Sequence, residues 1–365
     1  MADTKNLDMS QIKTLDDFQA KTQPTGSIDK AIGNTLYGIN HQQVKSIVPE
    51  NRDTYGLTFF TRPQLNLQDS NIRKDRHFYN LLTTRTDSIH TYIRCLLDPR
   101  LGYDHAMSKI IGDVTGPSQG TISSPLLDNK MGFIPVFTNT IKTMSGWPDV
   151  VMPSFVSKAG AYKEQWAIAD GSTEIFDAFD LSVSFRNIKN EPITNILITW
   201  LRYMYLVFEG TMGPYIDYMA GNRIDYNTRI YRLVLDETKR YVKKIAATGA
   251  SFPMNDPTGK YFDFNDVIKY NDQTRTINVR FKCMGAIYND PILYKEFNEV
   301  SAIFNPDVRN LIEGKSHNLE QIPYDMLDLL NHRGYPIIDL NTYELKWYIS
   351  KDSESYKQLI KLYKD

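Results

Sequence analysis

A strictly alternating strand that runs directly into an amphipathic helix most constrains how this chain can fold. The segment Leu181–Arg186 places apolar side chains on one face and polar side chains on the other. Glu191 and Pro192 then open a helix, because proline fits its first turn, and apolar residues recur at helical spacing as far as Phe208. A strand with one apolar face must bury that face, so we predict that the helix covers it.

A second strand, Thr276–Lys282, alternates in the same way. The apolar positions of the two strands and of the helix form the predicted core: Leu181, Val183, Phe185, Trp200, Leu201, Met204, Ile277, Val279 and Phe281. The opposite face is predicted to be polar and to carry Ser182, Ser184, Arg186, Arg280 and Lys282. Such a pattern indicates a sheet with one face packed and one face free.

Other segments add strands and short helices, so the predicted class is α+β. Arg229–Leu235 and Tyr241–Ala247 form a hairpin, and 133–137, 149–157 and 162–169 are predicted to be short strands. We divide the chain into an N-terminal arm and helical extension (1–125), a β lobe (126–289) and a C-terminal mixed extension (290–365). Predicted helices outside the lobe cover 75–97, 324–331 and 343–363, and 336–340 is predicted to be extended.

Composition excludes several classes of function. Lys and Arg number 42 against 43 Asp and Glu, and a net charge of -1 argues against a protein that coats DNA. The two cysteines, Cys95 and Cys283, lie in apolar stretches and are expected to be buried thiols. The polar N-terminus has no signal segment and no apolar run could span a membrane, so we expect a protein made in the cytoplasm without a membrane anchor.

No motif for catalysis or for cofactor binding occurs in the sequence. The six histidines lack the spacing of a zinc site, and phosphate-loop, dinucleotide and nucleophile-elbow patterns are absent. Asp263, Asp266 and Asp272 lack the spacing of a calcium loop. We therefore expect no enzyme activity, no metal and no cofactor.

The order of elements from Asp180 to Tyr288 resembles the tail-tube proteins of contractile-tailed bacteriophages. The strand leads into a helix carrying Trp200, the hairpin ends in Gly249-Ala250-Ser251-Phe252-Pro253, and a last strand has the pattern Ile277-x-Val279-x-Phe281. Tyr55–Leu67 and Asn227–Arg232 are also similar to virion proteins of large tailed phages. Simple tube subunits of this family are shorter than this chain.

The resemblance implies a tail-tube-like antiparallel sheet or barrel lobe, in a homo-oligomeric and hexameric ring of the virion. The added length favours a ring at the baseplate, where the tube is initiated, or at the tube end. The extensions would then bind tube, baseplate, sheath or neck proteins, and the polar face would line the channel for DNA and the tape-measure protein. Alternatives are a neck, collar or capsid-associated protein, an enzyme with paired carboxylates, and a host- or sugar-binding module.

Overall fold

A six-stranded antiparallel sheet organises the chain in the computed structural model, which describes residues 55–102, 122–171, 177–263, 266, 275–328, 330, 332–353 and 356–357. These residues belong to the unit Thr54–Asp365. The first eight strands are β1 (Gly56–Phe60), β2 (Ile141–Ser145), β3 (Ser154–Val156), β4 (Ala167–Ala169), β5 (Ala178–Arg186), β6 (Ile230–Leu235), β7 (Val242–Pro253) and β8 (Thr276–Tyr288). The large sheet has the order β1-β6-β7-β8-β5-β2, while β3 and β4 pair only with each other.

Short helices and a small second sheet complete the fold. The helices are α1 (Asp69–Ile72), α2 (Ile89–Leu97), α3 (Pro135–Thr140), α4 (Pro192–Phe208), α5 (Ile216–Ala220), α6 (Pro291–Ala302), α7 (Pro306–Ile312) and α8 (Tyr324–Leu327). Short 3-10 helices cover Arg76–Leu82, Pro99–Gly102 and Pro257–Tyr261. The small sheet has the order β10-β11-β9, from β9 (Leu319–Gln321), β10 (Tyr335–Ile338) and β11 (Leu345–Ser350).

The two outer strands of the large sheet are linked, so that the sheet approaches a closed barrel. The chain beyond β1 pairs with the segment before α3, through a bridge between Thr61 and Phe133 and a 2.8 Å bond from Ile134 N to Phe60 O. Helix α3 then leads directly into β2 at the other end of the sheet. The predicted α+β class with an antiparallel, tube-like sheet is confirmed.

Phenylalanine side chains fill the interior of this near-barrel. The ring of Phe137, on α3, lies 5.4 Å from that of Phe60 and 5.0 Å from that of Phe185, and Phe60 lies 5.6 Å from Phe281. All four side chains are fully buried. The same core cluster contains Trp200 and the other buried residues of α4, so the helix does pack on the apolar side of β5 and β8.

A second core cluster covers the other end of the sheet. Residues of β1, β6 and the first half of β7 pack there against α6 and the small sheet. Phe59 is the centre of the aromatic contacts, 5.0 Å from Phe133 and 5.1 Å from Phe297. Strand β1, from the predicted N-terminal segment (1–125), thus belongs to the large sheet. The second core cluster joins the β lobe to the C-terminal extension, because the apolar face of β6 must be buried.

Three local predictions are corrected by the structure. The helix predicted over 75–97 is divided, because Asp75 and Ser88 each accept a hydrogen bond from the backbone N–H two residues on and so cap separate helices. The strand predicted over 133–137 is mainly α3, since Pro135 has no N–H for a strand ladder and fits a first helical turn.

The third correction concerns the last predicted helix, 343–363, where β11 forms instead. Buried and more exposed side chains alternate along β11, and the second core cluster contains Leu345, Trp347 and Ile349. This period of two is that of a strand and not that of the predicted helix. Helix α8 is also shorter than the predicted 324–331. Residues 1–54 and 103–121 of the predicted N-terminal arm and helical extension (1–125), and Asp272, lie outside the described residues.

Candidate functional site

The polar face of strands β2, β5 and β8 is the most distinctive surface of the sheet. Ser182 lies opposite Arg280 in the β5–β8 ladder, and Ser184 lies opposite Asn278. On the other side of β5, these two serines face Ser145 and Thr143 of β2. The register therefore places hydroxyl, amide and basic side chains in one continuous patch, which we call the polar sheet face.

Short polar contacts hold this patch together. Ser184 Oγ donates a 2.7 Å hydrogen bond to Asn278 Oδ1, and Lys282 Nζ lies 2.9 Å from Asp180 Oδ1. Ser182, Arg186 and Arg280 are exposed, while Ser184 and Lys282 are half-buried. All five residues predicted for the polar face thus lie on the side of β5 and β8 opposite the packed side. Whether this side faces a channel is a matter of assembly.

On the packed side, the structure brings most of the predicted core residues together. Leu181 lies opposite Phe281, Val183 opposite Val279, and Phe185 opposite Ile277, and all six are buried. Trp200 is also fully buried, and its indole Nε1 donates a 2.9 Å hydrogen bond to the carbonyl of Tyr226. Tight burial with a satisfied indole N–H makes this tryptophan the anchor of α4.

The second half of α4 departs from the predicted stripe. Leu201 and Met204 are only half-buried, whereas Tyr203 and Leu206 are buried, and Phe208 is 91% exposed. Helical spacing permits either the third or the fourth residue after Trp200 to continue the stripe. Tyr203 prevails because its hydroxyl has buried partners, donating to Asp225 and accepting a 3.1 Å bond from Asn66 N.

A buried carboxylate joins α2 to the loop before α5. Asp98 is fully buried, and its Oδ2 accepts hydrogen bonds from Tyr215 Oη at 2.7 Å and from Leu67 N at 2.8 Å. Burial raises the pKa of Asp98 to about 6, although both hydrogen bonds oppose the shift. No cleft opens on this group in the described chain, so we assign it a structural role.

Strands β3 and β4 form a hairpin with an unusual surface. Tyr162 is 94% exposed and Trp166 76% exposed, and Phe155, Val156 and Ile168 are also more than half exposed. This set is called the apolar hairpin below. The sequence predicted strands over 149–157 and 162–169. A local strand pattern does not show whether such strands join the large sheet or stay apart from it. A contiguous exposed apolar surface is typical of an interaction site.

The two cysteine thiols, which could act as nucleophiles, lie in buried structural positions. Cys95 and Cys283 are buried, and burial raises the pKa of each thiol to about 11, which keeps both protonated and unreactive. Within the described ranges, no three His, Cys, Asp or Glu side chains are arranged to hold a metal ion. None of the helices in that part of the chain is both long and apolar enough to cross a membrane.

The described chain thus has a near-barrel sheet with one packed side and one polar side, and a hairpin that pairs with no other strand. A family model described as "Putative phage tail tube protein" matches residues 3–363, and the chain belongs to that family. The predicted resemblance to phage tail-tube proteins is thereby confirmed. No curated protein matches the chain in sequence.

Solved structures show partial similarity. The anti-feeding prophage cap, a tube-terminating cap, is 10% identical, with 43% of this chain and 82% of that chain covered and a TM-score of 0.27. The sheath/tube terminator of an extracellular contractile injection system is 7% identical, covers 43% and 87%, and has a TM-score of 0.24. The sheath–tube complex of such a system is 10% identical, covers 43% and 82%, and has a TM-score of 0.27.

Proposed function

We propose that this chain forms a closed ring coaxial with the tail tube of a contractile-tailed phage, at the baseplate or at the tube end. The observation that carries the proposal is the two-sided sheet, in which α4 and the phenylalanine cluster cover one side of β5 and β8 and the polar sheet face stays exposed. Neighbouring sheets in a ring would join these faces into one inner wall. The family resemblance implies six subunits.

The chemistry of the polar sheet face suits a channel through which DNA and the tape-measure protein pass. Hydroxyl side chains of Ser182 and Ser184 carry no charge, and the basic group of Lys282 is paired with Asp180. Each phosphate contact that a protein makes adds to affinity for DNA. A wall with few unpaired cations, here Arg186 and Arg280, would let DNA slide without retaining it.

Contacts between subunits and with neighbouring tiers would use other surfaces. Ring assembly joins two different patches of the same chain and closes by rotation. The apolar hairpin is an exposed apolar surface available for this purpose, and the extensions, 1–125 and 290–365, would bind tube, baseplate, sheath or neck proteins. In this role the chain needs no catalytic step, cofactor or membrane anchor, and it resides in the virion.

A reconstruction of the intact virion tests the location. We expect density for this chain on the tail axis, with β5 and β8 lining the channel. Density in the capsid, collar or fibres would refute the ring and favour one of the alternative virion roles. Density in the tail but off the axis would refute the channel assignment alone.

A charge reversal tests the channel assignment in functional particles. The double change Arg186→Glu and Arg280→Glu should leave folding intact, because both side chains are exposed, yet it should speed DNA passage, because it removes two cations that could contact phosphates. Arg223→Glu, in an exposed loop, is the matched control. Equal rates of DNA ejection for both variants would contradict a channel position.

A further inference from the structure

A polar cleft of about 380 Å³ lies between the β lobe and the C-terminal extension. Its walls come from the chain just after β1, from the loop that leads into β6, and from α6 with the two residues that follow it. The polar sheet face has no part in it. The lining combines carboxylate, amide, hydroxyl and guanidinium side chains with apolar ones.

On residues that line this cleft, one carboxylate and one amide oxygen have neither a hydrogen-bond nor an ion-pair partner in the described chain, and the hydroxyl of Tyr231 also lacks a hydrogen-bond partner. Asp225 is only 3% exposed, and its Oδ2 accepts the hydroxyl of Tyr203. Its other oxygen, Oδ1, is buried and has no hydrogen-bond partner in the described chain, and the same holds for Oδ1 of Asn227. A buried acceptor without a partner is destabilising, so the site favours an occupant with N–H donors.

Both arginines of the cleft are committed elsewhere. The guanidinium of Arg62 is fully engaged with main-chain carbonyls: Nε with Leu96, Nη2 with Cys95, and Nη1 with Asn129 and Met131. Arg229 donates through Nε to the carbonyl of Thr248, at 2.9 Å, and through Nη1 it lies 2.8 Å from Glu296 Oε2. Glu296 is thus paired with Arg229, whereas neither arginine donates a hydrogen bond to Asp225 Oδ1 or Asn227 Oδ1.

The remaining walls suit an aliphatic chain with a cationic end. Ile224, Val300, Ile303 and Phe304 supply apolar surface. Glu299, whose side chain is 63% exposed and lies 3.8 Å from Lys295 Nζ, adds an exposed carboxylate at the rim. A lysine side chain combines a flexible apolar stem with three N–H donors on one positive nitrogen, and it buries the stem while the head meets polar groups.

We propose that this cleft binds a lysine side chain of a neighbouring protein chain in the tail, with its ammonium donating to Asp225 Oδ1 and Asn227 Oδ1. The inference rests on the proposed ring for the source of that lysine, but the site itself can be tested on the isolated chain. An arginine has five donors in a rigid plane, more than the two free oxygens can use.

Titration of the full chain with N-acetyl-lysine amide, followed by NMR, tests the site. The neutral isostere N-acetyl-norleucine amide should bind at least about tenfold more weakly, because it lacks charge-assisted hydrogen bonds. Asn227→Asp should tighten lysine-amide binding by adding a negative charge, a gain that a misfolded variant could not give. Glu299→Gln should weaken it, and Glu313→Gln, outside the cleft, should not change it.

The result that would overturn the site is equal binding of both amides, or no binding of either. In purified tails, a carbodiimide should couple Glu299 or Glu296 to a lysine of another chain, which mass spectrometry can locate. Amide binding without any such cross-link would overturn the protein source of the lysine while leaving the site. If the virion reconstruction placed the chain off the axis, the ring would fail and the amide titration would still decide the cleft.

Discussion

Replacement of Trp200 by alanine tests the central packing of the fold. The side chain is fully buried between α4 and the sheet, and it is the largest of the fully buried side chains. Removing a core tryptophan leaves a cavity as well as losing transfer free energy, and typical costs are about 3–5 kcal/mol. The change also leaves the carbonyl of Tyr226 without the indole N–H that it accepts at 2.9 Å.

The measurement is an equilibrium urea titration followed by both circular dichroism and tryptophan fluorescence. Phe208→Ala is the matched control, because it removes an aromatic side chain from the same helix at a position that is 91% exposed. We expect this control to change the free energy of unfolding by no more than about 0.5 kcal/mol. Coincident transitions with the two probes would justify the comparison of free energies.

Two outcomes would refute the reasoning. A cost near zero for Trp200→Ala would mean that the indole is solvated and that α4 does not cover the sheet. A large cost for Phe208→Ala would mean that the end of α4 is packed in solution, so that the exposed end described above is covered by another part of the chain. The first result would also remove the two-sided sheet on which the ring proposal depends.

Three further predictions follow from other buried and exposed groups. Burial raises the folded-state pKa of Asp98 to about 6, so its contribution to the free energy of unfolding is present below about pH 4 and lost as the pH rises through 6. Asp98→Asn should remove this pH dependence, which amounts to on the order of 3 kcal/mol. Arg62→Lys should lower the free energy of unfolding by about 3 kcal/mol, since lysine cannot reach four carbonyls, whereas Arg186→Lys should be neutral in the same titration. Trp166→Ser should leave that free energy within about 0.5 kcal/mol of its original value and reduce ring or tube assembly in electron micrographs; unchanged assembly would contradict a role for the apolar hairpin.

Local periodicity was sufficient to predict the centre of the lobe. In β5 and β8 every second residue is apolar, so the buried face of Leu181, Val183 and Phe185 could be predicted from parity alone, whereas their partners in the ladder could not. The helix after β5 was equally visible, because Pro192 and the run of apolar residues agree. The polar sheet face followed from the same alternation.

Features that depend on distant partners could not be predicted from local pattern. Tyr203 replaces Met204 in the core because Asp225 and Asn66 satisfy its hydroxyl, and neither is near it in sequence. The cleft was missed for the same reason, since Asp225 and Glu296 belong to separate segments that meet only in the fold. The apolar hairpin has ordinary strand composition, and only its position shows that it is exposed.

The pairing of β1 with β6 determines when the sheet can be completed during synthesis. Thr58 and Arg232 face each other across this ladder and lie 174 residues apart in the chain. At ribosomal rates of about 5–20 residues per second, roughly 10 to 35 s separate their appearance. During that interval Phe59 and Phe60 cannot be buried beside β6, because β6 has not yet been synthesised. Chaperones should therefore bind nascent chains that end before β6.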